Sequence, residues 1–364
     1  KAKQDAMFAQ ELGLNYEFTS LIAEHIDLFK NKERRLRIKE LIVKEEDQQS
    51  LRYKMLAVLF NTIDENLASF LQVHATASID DNSRFDRELE RYNLKSFYWK
   101  EIVRKYGYYN ESPRIYDFLL EVFKNNFSIG KKTGIAKESK ILLSTWKDSI
   151  SFREIFRELS QKIEQDSNVE SELINVRLDE IIQDDLFKSI DKKIISELVQ
   201  LICEESISVD RLNQLLQQRK NKFWYPDWED YYACLENGMQ MIMLVRKTNE
   251  IKIESFGDGV QSYVQNLFKI DHYYRKYIYH SGKANHDKVL HALTEQVEKV
   301  YSNDWLLNYG NKWQKVVDAL PRWFNQPTVS QYRFFSDHVK PMVKNGQKLF
   351  VIISDALRYE CGWE

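Results

Sequence analysis

Glycine and proline are scarce in this chain: its 364 residues include 11 Gly and 5 Pro, where ~7% and ~5% are usual. These residues supply most tight turns. A chain so poor in them must run in long elements joined by short connections, which points to helices. Hydrophobic residues make up 43% and charged residues 30%, with 20 Phe, 20 Tyr and 8 Trp, so the chain is not disordered. At roughly 150 residues per domain the length suggests about two domains, enough to bury a core without disulfide or metal staples. Lys and Arg number 53 against 55 Asp and Glu, a net charge of -2. No bulk basic field exists to hold nucleic acid, and no acidic tail is indicated.

Apolar spacing supports the helical reading. Val289, Leu290, Leu293, Val297, Val300 and Tyr301 follow one another mostly by three or four and share a face. Leu51, Met55, Leu56, Val58, Leu59 and Phe60 form a broader face, as do Ile194, Ile195, Leu198, Leu201 and Ile202. Pro113 suits the first turn of a helix with Ile115, Phe118, Leu119 and Val122 on its core face. Ser208 or Asp210 can start the helix carrying Leu212, Leu215 and Leu216. The stretch Ser128–Ala136, with two Gly among two Lys and no apolar period, is the best internal boundary. Further breaks are expected at Ser281–His286 and Asn325–Ser330.

Cys203, Cys234 and Cys361 are too far apart in sequence for a disulfide framework or a paired-cysteine metal knuckle. A reducing cytoplasm fits that usage. No run reaches the 18 apolar residues that would mark a membrane helix.

Near its C-terminal end the sequence changes character. Leu349, Phe350, Val351, Ile352 and Ile353 form an apolar run without helical spacing, closed by Ser354 and Asp355. Ala356 to Glu360 then suit a helix start. A short apolar run ending in polar residues before a helix predicts a buried parallel strand of an α/β sheet, and ligands sit at the carboxyl ends of such strands. The sequence stops at Glu364 in mid-helix, so this strand is expected to open a truncated domain.

The segment Phe350-Val-Ile-Ile-Ser-Asp-Ala-Leu-Arg-Tyr-Glu360 resembles the opening strand of the phosphatase domain in the PglZ family, the alkaline-phosphatase-superfamily component of BREX (bacteriophage exclusion) systems. Weaker resemblance to the family's middle region extends upstream. It runs through Ala6–Leu14, Gln49–Lys54 and Tyr274–Tyr277, then from Leu290 through Trp305 to Trp313, with Phe334, Phe335 and Val339 leading into the strand. The resemblance implies that Asp355 is a ligand of a catalytic divalent metal: zinc, magnesium or manganese. A carboxylate at a strand end is a suitable hard donor, and the metal would polarise a phosphoryl oxygen. The family's nucleophile and remaining ligands map onto no residue of this sequence. One carboxylate does not hold a catalytic metal, so no cofactor is expected to bind this chain alone.

Other signals carry less chemistry. His272 and His280, eight apart, and His286 and His291, five apart, miss the i, i+4 spacing of a helical metal pair. Gly130-Lys-Lys-Thr-Gly134 lacks the spacing of a phosphate loop. Asp184, Asp185, Glu204 and Glu205 offer no acid–base pair. Two aromatic clusters, Trp224, Tyr225 and Trp228, and Tyr274, Arg275 and Tyr277, suit helical core packing, a protein interface or, with basic residues among the rings, stacking of nucleic-acid bases. The basic run containing Lys32, Arg34, Arg35 and Lys39 is either a solvated helix face or a phosphate-contacting one.

The expected architecture is mainly α: a multi-helix array with one C-terminal β-strand and helix fragment of an α/β phosphatase-like domain. Helical subdomains are expected over residues 1–130 and 131–345, with the truncated domain from 346 to 364. Together with the resemblance, the aromatic clusters imply a scaffold that docks other BREX components, BrxB and PglX being candidates, and positions a metal-dependent phosphatase or phosphodiesterase. The alternative is a helical nucleic-acid-binding module presenting DNA to the catalytic half. Neither reading involves a membrane.

Overall fold

The computed structural model describes residues 2–44, 46–80, 82–132, 134–248, 250–285, 287–321 and 331–364. Its elements are helical throughout, as the scarcity of turn formers requires. Backbone proximity divides the chain into two compact units, Lys1–Ile190 and Asp191–Glu364.

In the first unit, two consecutive helices start at side-chain caps. The Asp47 carboxylate accepts from the Ser50 N–H at 2.7 Å, and the Asn66 side chain accepts from the Ser69 N–H at 3.0 Å. These caps open α1 (Gln48–Phe60) and α2 (Leu67–Ile79). The core gathers around Phe60, which stacks on Phe70 at 5.6 Å between centroids and lies 4.9 Å from Phe85 and 5.4 Å from Tyr98. Lys54 is buried with it. Its ammonium is held by Glu46 at 3.0 Å, Glu65 at 3.2 Å and the Ser50 hydroxyl at 2.8 Å, the pairing a buried lysine requires. Pro113 precedes α3 (Ile115–Asn126), whose Ile115, Phe118, Leu119 and Val122 are buried as their spacing predicts. The Ser128–Ala136 stretch lies within this unit, with Thr133 of its Gly-Lys-Lys-Thr-Gly sequence outside the described residues.

The second unit is built on α4 (Lys188–Cys203, whose first three residues belong to the first unit), α5 (Val209–Arg219) and α6 (Tyr225–Thr248). The Ser208 hydroxyl caps α5, accepting from the Arg211 N–H at 3.2 Å. Next come α7 (Phe256–Ser262) and α8 (Phe268–Lys283), joined by a π-helical turn over Tyr263–Leu267. A second π turn, Val300–Leu307, joins α9 (His291–Lys299) to α10 (Asn308–Asp318). α6 and α8 lie closely together where Gly238 meets Tyr277: a Cβ there would stand 3.3 Å from the Tyr277 ring and from Val297. Leu290, Leu293, Val297, Val300 and Tyr301 are buried, matching their spacing. His286 and Asn325–Ser330 lie outside the described residues.

The C-terminal strand expectation is corrected. Among the described residues there is no strand, and Leu349–Ile353 forms no ladder. A strand exists by pairing its backbone with a neighbour, and the described residues supply no neighbouring strand. The rest of the chain does not cover this run: Phe350, Ile352 and Ile353 are 90%, 93% and 89% exposed. Beyond it α11 (Tyr359–Trp363) is a short helix, with Glu360 buried at 1% exposure.

Candidate functional site

A polar cluster in the second unit centres on Asp271, in the first turn of α8, which sequence reasoning did not single out. Three neutral donors converge on its carboxylate. The Tyr263 hydroxyl donates to Oδ2 at 2.7 Å, while the Tyr301 hydroxyl and the Trp305 indole N–H donate to Oδ1 at 2.8 and 3.0 Å. Tyr263 stands on the first π turn, and Tyr301 and Trp305 on the second. An inserted residue per π turn rotates the side chains that follow it, and such turns often accompany functional sites. Burial, then the Asp271 carboxylate, raises the Tyr263 and Tyr301 phenols above their ordinary value. They therefore remain protonated donors rather than bases.

A cavity of about 360 Å³ opens beside this carboxylate, walled by the rings of Tyr263, Trp305, Tyr309 and Trp313. Trp305 and Tyr309 are stacked at 4.4 Å. Gly259 makes room for Trp313: a Cβ there would fall 2.2 Å from the indole ring. Behind the cluster the Tyr301 ring lies flat on Tyr274, with centroids 3.5 Å apart and planes at 2°. Tyr274 donates to Glu298 at 3.0 Å, and burial followed by that bond pushes its phenol up to about 12.

The C-terminal residues seat on the same helix. Tyr359 and Trp363 pack against Phe268 at 5.3 and 5.0 Å between ring centroids, and the Tyr359 hydroxyl approaches the Val264 carbonyl at 3.4 Å. Arg275 donates to the Glu364 carboxylate at 2.6 Å, and Lys276 pairs with its other oxygen. These two cations, Lys276 first, pull the Glu364 carboxyl down to about 2.

The residues singled out from sequence are thus distributed between core and surface. Trp224 and Tyr277 are fully buried core residues, the latter's hydroxyl 2.7 Å from that of Thr294. Tyr225 stacks on Tyr232 at 5.3 Å, and Trp228 meets Tyr231 edge-on at 4.8 Å; both are half-buried. Arg275 is occupied by Glu364. In the basic run the arginines serve the first unit: Arg34 bonds the Tyr92 hydroxyl and lies over that ring at 4.7 Å. Arg35 pairs with Glu11 at 2.9 Å and lies over Phe8 at 4.5 Å. Lys32 and Lys39 are exposed. Asp185 pairs with Lys147, and Asp184 accepts from the Ser128 and Leu186 N–H groups. Burial pushes the Cys234 thiol up to about 12, an inert environment for a thiol.

Asp355 is exposed, on the loop before α11. Among the described residues no group of three or more His, Cys, Asp or Glu side chains is placed to hold a metal ion. No described helix is long and apolar enough to cross a membrane. Around Asp271 the donors are neutral and the cavity is aromatic, with no nucleophile–base pair among the described residues.

No protein-family model matches the sequence, and no solved structure matches it. Among curated proteins it is similar to the alkaline phosphatase-like protein BrxZ of Escherichia coli O9:H4 (strain HS). The two are 28% identical over 384 aligned positions, which cover 94% of this chain and 44% of that protein. It is also similar to the alkaline phosphatase-like protein PglZ of Bacillus cereus (strain H3081.97), 21% identical over 98% of this chain and 43% of that protein. The chain therefore spans less than half the length of these relatives.

Proposed function

Taking as premise that this chain is a PglZ/BrxZ-like, alkaline-phosphatase-like protein, we propose that it is the helical scaffold of a cytoplasmic BREX phage-defence protein. It docks partner proteins and positions a metal-dependent phosphatase or phosphodiesterase portion. One observation carries the positioning role. Tyr359–Glu364 is anchored on α8 through Phe268, Arg275 and Lys276, while the preceding Leu349–Ile353 run stands exposed. An apolar run held at one end and bare along its length is suited to be covered by further chain.

Asp355, between the run and the anchor, is the residue proposed to contribute to a divalent metal in the whole protein. On their own the described residues do not fit such a centre, since three or more protein ligands are the norm and Asp355 has no companion ligands. No catalytic step is therefore assigned to this chain. Its part is to hold the segment carrying Asp355 against a helix.

Co-purification of the chain with each other BREX component, BrxB and PglX first, at low and high salt, tests the docking role. A salt-resistant protein complex is expected. Failure to hold any component, with DNA binding that falls steeply with salt, would replace this reading by a DNA-presenting module. The internal engagement of Arg34 and Arg35 argues against that outcome.

A further inference from the structure

From the cavity beside Asp271 we infer a binding pocket for a guanidinium group, the arginine side chain of a partner protein. The charge arithmetic of the pocket comes first. Asp271 carries its carboxylate into a wall of four aromatic rings and is met there by two phenols and an indole, all neutral. Among the described residues it forms no ion pair. Arg358 acts on the cluster through its field on Tyr301. A carboxylate has about four lone-pair directions, and Tyr263, Tyr301 and Trp305 fill three of them. One direction on Oδ2 remains for a donor, and the missing partner is a positive one.

The walls narrow the kind of cation. Aromatic faces attract a cation held within about 6 Å, more strongly where water is excluded. A quaternary ammonium would use the rings but has no N–H to offer Oδ2. A lysine ammonium would offer a donor but is a strongly hydrated point charge. A guanidinium does both: its edge donates to a carboxylate and its flat face stacks on Trp or Tyr. The pocket is open rather than enclosed, and at its rim Leu306 and Val264 are 52% and 39% exposed. Those side chains would pack against residues flanking the arginine, which favours a protein source over a free small molecule. This gives the proposed docking role a chemical address. It depends on that role only for the source of the arginine.

Probe binding is tested on the chain without any partner, so its failure is separable from failure of co-purification. N-acetylarginine amide is titrated by calorimetry and by tryptophan fluorescence, because Trp305 and Trp313 wall the pocket. Its neutral near-isostere N-acetylcitrulline amide is the control. The arginine probe is expected to bind at millimolar or tighter levels, and the citrulline probe at least about ten-fold more weakly. The peptide acetyl-Gly-Arg-Gly amide should bind no less well than the single residue. Asp271→Asn should abolish the preference for arginine over citrulline. Tyr309→Leu, which keeps an apolar wall but removes a flat ring, should weaken arginine binding while circular dichroism shows unchanged helicity. Equal binding of both probes, no binding of either, or tighter binding of tetramethylammonium would overturn the guanidinium assignment. Exclusion of the tripeptide would overturn the protein source.

Discussion

Arg219 and Asp191 form a bidentate ion pair with neither side chain exposed: Nε to Oδ1 is 3.0 Å and Nη2 to Oδ2 is 2.8 Å. The Tyr232 hydroxyl donates to the same carboxylate, so α4, α5 and α6 meet at one buried charge pair. Burial alone pulls the Arg219 guanidinium down, but the adjacent Asp191 outweighs it and leaves the group raised. Removing one partner strands the other charge, so Arg219→Met is expected to cost about 3–5 kcal/mol. Asp191→Leu with Arg219→Met and Tyr232→Phe should recover most of that loss. Urea midpoints of the single and triple variants check both statements.

Gly259 is required by a ring rather than by a turn. Its missing Cβ is the space that Trp313 occupies. Gly259→Ala must displace α7 from α10 or turn the indole, and the expected loss is about 1–3 kcal/mol. The same change should also weaken arginine-probe binding, because Trp313 would leave its place in the cavity wall. A chemical denaturation curve and a probe titration on the same sample separate the two effects.

Docking of the C-terminal helix should depend on salt and on acid. Its ionic contact is between exposed or half-exposed groups, Glu364 with Arg275 and Lys276, and such pairs are screened by salt. The Glu364 carboxyl is depressed from 4.5 to about 2. The contact is therefore fully formed above 4.5 and is lost as pH falls through the lower value. Arg275→Ala with Lys276→Ala should release Trp363 from Phe268 at neutral pH, read as a red shift in its emission. An unshifted spectrum would mean that the aromatic contacts alone hold the helix.

His25 gives the first unit an acid-side sensitivity. Its ring is 1% exposed, and Nδ1 donates to the Tyr92 carbonyl at 2.8 Å. Burial holds its pKa below 6.5, although the carbonyl and Glu24 pull it upward. A depressed folded-state value means full stability above 6.5 and loss as pH falls below it. His25→Asn should lower stability at neutral pH and flatten that acid slope. The slope should not vanish, because His272 is lowered as well. Denaturant midpoints across the acid range, wild type against variant, give the comparison.

The helices were legible because their signals are local. The face of Ile115, Phe118, Leu119 and Val122 needs only a period, and the Ser208 cap only a residue type at a helix start. The Leu349–Ile353 run was misread as a strand because its composition is that of one, whereas a ladder depends on partners that the run itself does not encode. Asp271 was missed for a related reason. Its donors Tyr301 and Trp305 lie 30 and 34 residues away, and π turns shift the helical phase that would have aligned them. Tyr263, eight residues before Asp271, is the one local hint of the cluster. The aromatic clusters were visible in sequence, but not their division into buried Trp224 and Tyr277 and half-buried Tyr225 and Trp228.

The scaffold role is tested most directly by amide hydrogen exchange over residues 349–363, in the chain alone and in complex with a co-purified BREX component or within the longer protein. Alone, the amides of Leu349–Ile353 should exchange at near-unprotected rates while those at Cys361–Trp363 are slowed by the docked helix. In the longer protein or the complex, Leu349–Ile353 should become protected. Protection of that run in the isolated chain, or exchange at Cys361–Trp363 as fast as at Ile352, would contradict an anchored segment whose apolar run awaits its cover.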